Sequence, residues 1–360
     1  MKNSPVGQPT GEVRRTLEYI ARVLVFVVLY FAVGKLCLSL GQGSLSGQGS
    51  VSALWPPAGM ALVLLLMLGY KMWPGIFLGS LLVGATRNEA LLVAAGAAVG
   101  ATLEALVATY LLKEVFGLKN RFDRPRDALA MAIAAFAGSA VAGLIGPFVL
   151  VAGRFIPADQ WRATAIIWWF GDLMGILVFG TFLLVIFDRT AFRILKNRGV
   201  EAGVILALIF AVSVIILTSN ARAPITYLLF PFVMLAAVRL TQVGVVSSVL
   251  VINSVAIWAL LSNLGPFSRM SSSPFRLIDL EFYLSVLTAT SMILAMAIQE
   301  RMRIAEKLRL RTVELDHLQR ELKDANLRVT NILTGILDES SPRRGSGNHA
   351  RAPVQQHEES

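Results

Sequence analysis

Residues 50–82 read SVSALWPPAGMALVLLLMLGYKMWPGIFLGSLL, and this stretch decides the kind of fold the chain can adopt. Two adjacent prolines, Pro56 and Pro57, stand at the start of its first apolar run. Each proline removes a backbone N–H donor and fixes one φ angle, so the pair suits only the first turn of a helix. A second pair, Trp73-Pro74, follows one short apolar run later. The pattern predicts two short helices with tryptophans at opposite membrane interfaces, WPPAG at the extracytoplasmic entrance and Trp73-Pro74 at the cytoplasmic one.

The apolar character continues over most of the 360 residues, of which 55% are hydrophobic and 16% charged. Soluble domains carry about 25% charged residues. Residues 17–299 are almost continuously apolar, whereas the segment after them is rich in charge. The composition therefore predicts an all-α, polytopic transmembrane helix bundle. Residues 17–40 form an apolar run that is too long for a removable signal peptide, and they lack its cleavage site. They are therefore predicted to form the first span.

Ten apolar runs divide the hydrophobic region, and a full span needs about 20 residues. The second and third runs are short, which favours either a tilted pair or a broken hairpin, and gives about 8–10 spans with both termini on one side. The runs are 17–40, 54–70, 73–86, 90–112, 126–152, 163–187, 201–218, 224–239, 243–262 and 279–299.

The distribution of Lys and Arg predicts the orientation of these spans. The segments on the side of the termini hold most of the basic residues, which places both termini in the cytoplasm. The same rule accounts for the net charge of +10. No basic helix is interleaved with aromatic residues for base stacking, so nucleic acid is not an expected partner.

Cysteine and histidine are too few for several kinds of site. Cys37 is the single cysteine, and His317, His349 and His357 all lie in the charged tail. An internal disulfide, an intramembrane metal site and a histidine-based catalytic triad are therefore excluded. No cofactor is expected.

Four charged residues lie within the apolar runs or at their edges: Lys35, Glu104, Asp172 and Arg239. Charged side chains in spans are costly and usually face the bundle interior at a functional site. Lys35 and Arg239 lie near span ends, where snorkelling to the surface or a structural ion pair accounts for them. For Glu104 and Asp172, a functional site and a structural ion pair both stay open.

Asp172 lies in the segment IIWWFGDLMGILVFG, residues 166–180. Anchoring at the outer interface accounts for one of the two tryptophans Trp168 and Trp169. Gly171 and Gly175 are four residues apart, which permits close approach of another helix and would bury Asp172 against it.

Other irregular elements are predicted on the same, extracytoplasmic side: WPPAG, Gly146-Pro147-Phe148, Gly265-Pro266-Phe267 and the acids Asp279 and Glu281. Interrupted helices are tolerated in membranes where protein or a cavity satisfies the backbone, so a ligand pocket in the outer leaflet is one interpretation and simple helix termination the other. The candidate signal-sensing residues are Trp55, Pro56, Pro57, Gly59, Glu104, Trp168, Trp169, Gly171, Asp172, Pro266 and Asp279; Trp73, Pro74 and Arg239 are structural interface candidates.

The tail contains a heptad pattern. Apolar residues follow alternating steps of three and four, which predicts a cytoplasmic coiled-coil helix over 300–338 that forms a parallel homodimer. An amphipathic helix packed on the protein's own loops is the alternative. Gly335 is expected to end the helix, 339–360 to be disordered, and 1–16 to form a short cytoplasmic tail. The seam consists of Ile304, Leu308, Leu315, Leu318, Leu322, Ala325, Val329, Ile332 and Ile336, with Arg311 in the one position that is not apolar.

Four ordered blocks resemble the signature blocks of the membrane-associated sensor domain of the first MASE type. They are LWPPAGMALVLLLMLGYKMWPGIFLGSLL, WWFGDLMGILVFG, FPFVMLAAVR followed by NLGPF, and FRLIDLEFYLSVLTATSMILAMAIQER. Together they cover about residues 17–300. The resemblance implies a bacterial inner-membrane sensory module of about eight or more helices. Such modules usually precede a histidine kinase, a diguanylate cyclase or another output domain.

The chain departs from that family pattern after Arg301, where no GGDEF-like run, ATP-binding glycine motif or phosphoacceptor box is found. His317, in ELDHLQREL, does not have the sequence context of a phosphoacceptor. Enzymatic activity is therefore not expected. The favoured function is a sensor that signals through its coiled coil to a separate kinase, cyclase or response regulator, with membrane lipids as its surroundings. A secondary transporter or channel that uses the intramembrane acids is the alternative, and a chain naturally split from a neighbouring kinase or cyclase is a third possibility.

Overall fold

The chain folds as a bundle of helices. The computed structural model describes residues 10–41, 54–87, 90–118, 124–219, 223–270 and 273–340, and these ranges contain helices and no strand, which confirms the predicted fold class. The helices are α1 (Thr10–Gly41), α2 (Pro56–Leu68), α3 (Trp73–Ala85), α4 (Leu91–Tyr110), α5 (Pro125–Ala152), α6 (Trp161–Met174), α7 (Thr181–Ile186), α8 (Arg189–Thr218), α9 (Leu229–Leu261), α10 (Phe267–Met270) and α11 (Ser273–Ser340).

Two π-helical segments join or extend these helices. Leu111–Val115 continues α4, and Gly175–Gly180 joins α6 to α7 so that Ala158–Ile186 forms one long apolar segment. Within the described ranges, seven helical segments are long and apolar enough to cross a membrane. They are Glu12–Ser39, Leu91–Val115, Pro125–Ala152, Ala158–Ile186, Lys196–Thr218, Ile225–Leu261 and Ile278–Ile336.

The segment Ile225–Leu261 is folded back on itself at Thr241. Thr241 has φ 59° and ψ −144°, which no α-helix accommodates. A Cβ built on Gly244 would lie 2.5 Å from the carbonyl oxygen of Ala236. Residues eight apart in a straight helix are separated by about 12 Å along the axis, so the chain must reverse here. The segment is a hairpin of two arms, in agreement with the predicted runs 224–239 and 243–262.

The short helices α2 and α3 form a second hairpin. Each has 13 residues and is therefore about 20 Å long, less than the hydrocarbon thickness of about 30 Å. Gly69, with φ 90°, closes α2, and α3 begins with Trp73 and Pro74 in its first turn, as the sequence predicts. Because α3 presents Gly79 to α1, the ring of Tyr30 lies 2.9 Å from where a Cβ on Gly79 would stand.

The interior of the bundle combines small residues between closely packed helices with buried Leu, Ile and Val side chains, and other large apolar side chains lie exposed on its outside. Ala94, Ala98, Ala134 and Ala135 are fully buried between neighbouring helices, whereas Leu92 of α4 is 85% exposed. Exposed apolar surface of this extent is what a domain surrounded by lipid requires.

α11 is a single helix of 68 residues. The prediction that Gly335 ends this helix is wrong, because α11 continues to Ser340. A glycine in a helix interior costs only about 1 kcal/mol relative to alanine, so a single glycine does not by itself end a long helix. The chain divides into two compact units, Met1–Arg301 and Met302–Ser360. In the second unit the seam side chains from Ile304 to Ile336 are exposed.

Candidate functional site

The N-terminus of α2 is buried against the middle of the apolar segment Ala158–Ile186, near the end of α6. Pro56, Pro57 and Gly59 are buried, and the backbone N–H of Trp55 donates a hydrogen bond to the carbonyl oxygen of Gly171 at 3.0 Å. Gly171 lies near the middle of the apolar segment Ala158–Ile186. The expectation that WPPAG marks the surface entrance of a span is therefore corrected: α2 starts in the bundle interior. Hydropathy could not distinguish the two positions, because both are apolar.

The two prolines solve the problem that a buried helix start creates. The first N–H groups of a helix have no partner within it, and an unsatisfied donor inside a membrane is expensive. Pro56 and Pro57 carry no N–H group. The N–H of Ala58 donates to the carbonyl oxygen of Trp55 at 3.0 Å, and the N–H of Trp55 itself is bonded to Gly171. The backbone donors of residues 55–58 are thus all satisfied or absent.

Three glycines make this docking possible. A Cβ on Gly59 would lie 2.5 Å from the backbone nitrogen of Gly180 and would overlap the carbonyl oxygen of Gly175. A Cβ on Gly175 would in turn overlap the carbonyl oxygen of Trp55. Gly175 and Gly180 are five residues apart and begin and end the π-helical segment, whose wider turn brings both onto the face that α2 contacts.

Two carboxyl groups meet beside this docking site. Asp172 on α6 is 3% exposed, Glu104 on α4 is 2% exposed, and their side chains hydrogen-bond to each other. The indole N–H of Trp168 donates a second hydrogen bond to Asp172, one helical turn away. The sequence raised the possibility of an ion pair for each acid. Instead, within the described residues, each has the other as its carboxyl partner.

A third carboxyl group, that of Glu281 on α11, lies within electrostatic range of Asp172. Glu281 is 1% exposed, and neither of its side-chain oxygens has a hydrogen-bond partner; Oε1 of Glu104 also lacks one. We call Glu104, Asp172 and Glu281 the carboxyl cluster. In the part of the chain that the structure describes, no Lys or Arg pairs with any of the three.

Aromatic side chains connect the carboxyl cluster to α1 and α3. Tyr30 is 1% exposed, and its hydroxyl accepts a hydrogen bond from the indole N–H of Trp55 and shares another with Ser80. Both Glu104 and Asp172 lie within electrostatic range of that hydroxyl. Side chains from α1, α3, α4, α6 and α11 therefore meet around the start of α2.

The sequence does not single out Tyr30 and Ser80. It places Glu281 on the extracytoplasmic side with the other irregular elements but does not identify it as a site residue. A signal existed for Glu281, which is an acid inside the last apolar run in the same way as Asp172. Tyr30 offered a weaker signal, a hydroxyl in the middle of an otherwise apolar span. Nothing in the sequence distinguishes Ser80, because single serines are common in spans and usually bond their own helix.

The two adjacent tryptophans have different roles. Trp168 packs against α5, where Gly146 leaves room for its ring, and bonds Asp172. The indole N–H of Trp169 donates to the carbonyl oxygen of Phe136 at 3.0 Å. Both are half-buried hydrogen-bond donors within the bundle, and the expected anchoring of one of them at the outer interface stays a prediction. α5 continues through Pro147 to Ala152, so the helix irregularity expected at this proline is not an interruption of α5.

The remaining candidates lie outside the carboxyl cluster. Pro266 is buried in a turn where Gly265, with φ 81°, lies against the carbonyl oxygen of Leu217 at the end of α8. Asp279 precedes Glu281 by two residues, and such positions face different sides of a helix. Trp73 is 48% exposed at the start of α3.

Arg239 is an exposed interface residue. Its guanidinium lies 3.6 Å from the carboxylate of Glu201 on α8, and its carbonyl oxygen accepts a hydrogen bond from Arg198 at 2.9 Å. Its side chain is 60% exposed. These contacts join α8 to the first arm of α9, which is the structural role expected for a charged residue at a span end.

The carboxyl cluster suits proton chemistry better than metal binding. Among the described residues, no group of three or more His, Cys, Asp or Glu side chains is arranged to hold a metal ion. What the cluster offers is a pair of hydrogen-bonded carboxyls, a third unpartnered carboxyl and an aromatic hydroxyl, all withdrawn from water.

Comparison with known proteins identifies the family. The sequence profile of MASE1 matches residues 22–302, which include most of α1 and the helices that follow it up to the first part of α11. No curated protein and no solved structure matches the chain. The matched region contains α4, α6 and the first part of α11, and so the entire carboxyl cluster. The chain belongs to the MASE1 family, whose members contain a membrane-associated sensory domain.

Proposed function

We propose that this protein is a bacterial inner-membrane sensor that detects an extracytoplasmic or membrane-borne signal at the carboxyl cluster and relays it through α11. The observation that carries the proposal is the course of α11. This helix buries Glu281 beside Asp172 and continues without interruption to Ser340. Membership in the MASE1 family supports a sensory role for the membrane domain.

The carboxyl cluster is a suitable place to receive a signal because several helices depend on it. Trp55 connects the start of α2 to Gly171 of α6 and, through its indole, to Tyr30 of α1. Any change in the charge or hydrogen bonding of Asp172 therefore affects both these helix contacts and its electrostatic interaction with Glu281. A small displacement of one helix is sufficient for signalling when the packing has two arrangements of similar energy.

The output is a parallel dimer through the seam of α11. Leu308, Leu315, Leu322, Val329 and Ile336 take the a positions of the heptad. The d positions fall at Ile304, Arg311, Leu318, Ala325 and Ile332. These side chains are exposed in a single chain, and pairing would bury them. Arg311 would face its own copy and lower the stability of the dimer, which keeps two packings close in energy.

Disulfide cross-linking tests the dimer. Cys37 is the single cysteine, so a Cys37→Ala background allows one new cysteine at a time. Leu315→Cys at an a position should form a disulfide across the dimer in membranes under mild oxidation. Arg320→Cys, at the outward f position of the same heptad, is the matched control and should not. Equal cross-linking at both positions would show that the seam does not pair.

Arg311→Leu tests the balance between the two packings. The substitution should increase Leu315→Cys cross-linking and fix the signalling output in one state. Unchanged output together with a more stable dimer would show that Arg311 does not set the balance.

The orientation is a further part of the proposal. The Lys and Arg distribution supports cytoplasmic termini in an inner membrane. A fluorescent protein that folds only in the cytoplasm, fused after Ser360, should then fluoresce. If this fusion does not fluoresce, and a reporter that is active only in the periplasm is active when fused at the same site, the orientation is the opposite one.

The partner is a separate kinase, cyclase or response regulator, which the exposed tail would recruit. Cross-linking followed by affinity purification, with the full-length chain as bait, should recover such a protein. A chain shortened to residues 1–300 should not recover it. Recovery by both chains would place the partner's binding surface on the membrane domain instead.

A secondary transporter is the second candidate function, and the buried Glu104–Asp172 pair favours it, since transporters use such acids to couple ion movement. Deleting residues 301–360 separates the two functions. A sensor loses its output, whereas a transporter retains uptake in vesicles. Uptake that survives the deletion and is lost in Asp172→Asn would establish transport.

A further inference from the structure

The hydrogen bond between Glu104 and Asp172 requires a bound proton. An ionised carboxylate has only acceptor oxygens, so two carboxyl groups bond each other only when one carries an O–H. Both side chains are almost fully buried, at 2% and 3% exposure, so bulk water does not take the place of that proton. The pair therefore holds at least one proton whenever this hydrogen bond is present.

The rest of the cluster lacks any other compensation for negative charge. Both side-chain oxygens of Glu281 and Oε1 of Glu104 are buried without a hydrogen-bond partner. An isolated carboxylate in such surroundings costs several kcal/mol unless a proton or a cation neutralises it. The described part of the chain provides no Lys or Arg partner and no metal-binding arrangement at these residues. The proton is the cation that fits.

We propose that the Glu104–Asp172–Glu281 cluster is a proton-binding site inside the membrane, and that its proton occupancy is the signal this domain reads. The role of proton occupancy as the signal rests on the proposed sensor function, whereas the proton-binding site itself does not. The polar groups that face the cluster are Tyr30 from α1, Trp55 from the start of α2, Ser80 from α3, Glu104 from α4, Asp172 and Trp168 from α6, and Glu281 from α11.

Proton release has a direct mechanical consequence. When the pair loses its shared proton, a second negative charge appears between Glu104 and Asp172, and their hydrogen bond is lost. That charge also lies within electrostatic range of Glu281. Like charges repel strongly where water is excluded, so α4 and α6 are pushed apart. α11 follows α6, because the hydroxyl of Ser285 on α11 donates to the sulfur of Met174 on α6 at 3.0 Å. Rebinding of a proton restores the hydrogen bond and allows α11 to pack again.

Infrared difference spectroscopy on the full-length protein in lipid nanodiscs tests the site directly. An acid-to-alkaline pH series should show loss of a protonated-carboxyl C=O band that is accessible only slowly to deuterium. Asp172→Asn and Glu104→Gln should each shift that band and its titration midpoint, because the remaining carboxyl loses its hydrogen-bonded carboxyl partner. Asp159→Asn, which changes an exposed carboxyl in the turn just before α6, should leave the band unchanged. If the wild-type protein shows no pH-dependent buried carboxyl band, the proton site is refuted, whatever the variants do.

A cation series distinguishes the proton from other ligands. Exchanging Na⁺, K⁺ and choline at constant pH should not alter the band of the wild-type protein. A change with any of these ions would overturn the proton assignment in favour of that cation. This readout needs no variant, so it holds even if a substituted protein does not fold.

The tail cross-link separates failure of the site from failure of the sensor. The yield of the Leu315→Cys disulfide should change along the same pH series and become independent of pH when Asp172→Asn is added. A titrating carboxyl band with a pH-independent cross-link would retain the proton site but refute its role as the signal. Absence of any cross-link together with a titrating band would refute the dimeric output alone.

Discussion

Gly59→Ala tests the close docking of α2 on α6. The added Cβ would lie 2.5 Å from the backbone nitrogen of Gly180, where an ordinary contact is about 3.5 Å. The obstructing atoms belong to the backbone, so no rotamer change relieves the overlap, and α2 must move away by about 1 Å.

That displacement has two energetic consequences. Overpacking of this kind costs about 1–3 kcal/mol. It also stretches the Trp55 N–H···O=C Gly171 hydrogen bond from 3.0 Å to beyond its normal range, which leaves a buried donor unsatisfied at a further cost of about 1–3 kcal/mol. The free energy of unfolding should fall by roughly 2–6 kcal/mol in total. At about 2–4 °C per kcal/mol, the Tm should fall by roughly 4–24 °C.

Thermal unfolding of the purified full-length protein, followed by tryptophan fluorescence and by size-exclusion chromatography after heating, measures this change. Gly203→Ala is the matched control, because Gly203 is also a helical glycine in an apolar segment but has open space where its Cβ would stand. Its Tm should be unchanged or slightly raised, since alanine favours helix. If Gly59→Ala melts like the wild type, the close backbone approach inferred here is wrong.

Four further substitutions have distinct expected outcomes in the same unfolding measurement. Thr241→Gly should raise the Tm, because a β-branched residue at φ 59° carries about 1–3 kcal/mol of strain that glycine avoids; a lower Tm would show that Thr241 is not strained. Glu104→Gln and Asp172→Asn should be non-additive, with a coupling of about 0.5–3 kcal/mol in the unfolding free energy, whereas additive losses would contradict their direct hydrogen bond. Arg239→Ala should change the unfolding free energy by less than about 1 kcal/mol, since its ion pair with Glu201 is exposed; a large loss would show that Arg239 contributes more than this surface pair.

The sequence was a good guide to where helices begin and end. The run 126–152 corresponds to Pro125–Ala152, and the run 73–86 to Trp73–Ala85. These boundaries are encoded locally, because prolines and glycines interrupt otherwise uniform apolar runs. The fold at Thr241 was also anticipated by the break between two predicted runs.

The arrangement around the carboxyl cluster was only partly predictable. The spacing of Gly171 and Gly175 indicated a close helix contact that buries Asp172, and the structure shows α2 in that position. The hydropathy of the sequence does not specify depth, and the position of the prolines at the start of an apolar run predicts the start of α2 at the surface. The partners Tyr30 and Glu281 come from helices far apart in sequence, and only the packing of the bundle brings them to Asp172.

The buried start of α2 also constrains how the protein is assembled during synthesis. A helix of 13 residues is too short to span the bilayer, and its backbone partner Gly171 is translated long after Trp55. About 115 residues separate the two, which at about 5–20 residues per second corresponds to roughly 6–23 s. During that interval the backbone N–H of Trp55 has no acceptor, and the face formed by Gly175 and Gly180, which α2 contacts, has not yet been synthesised. The α2–α3 hairpin must therefore wait, shallowly inserted or held by the insertion machinery, until α6 arrives and completes its insertion.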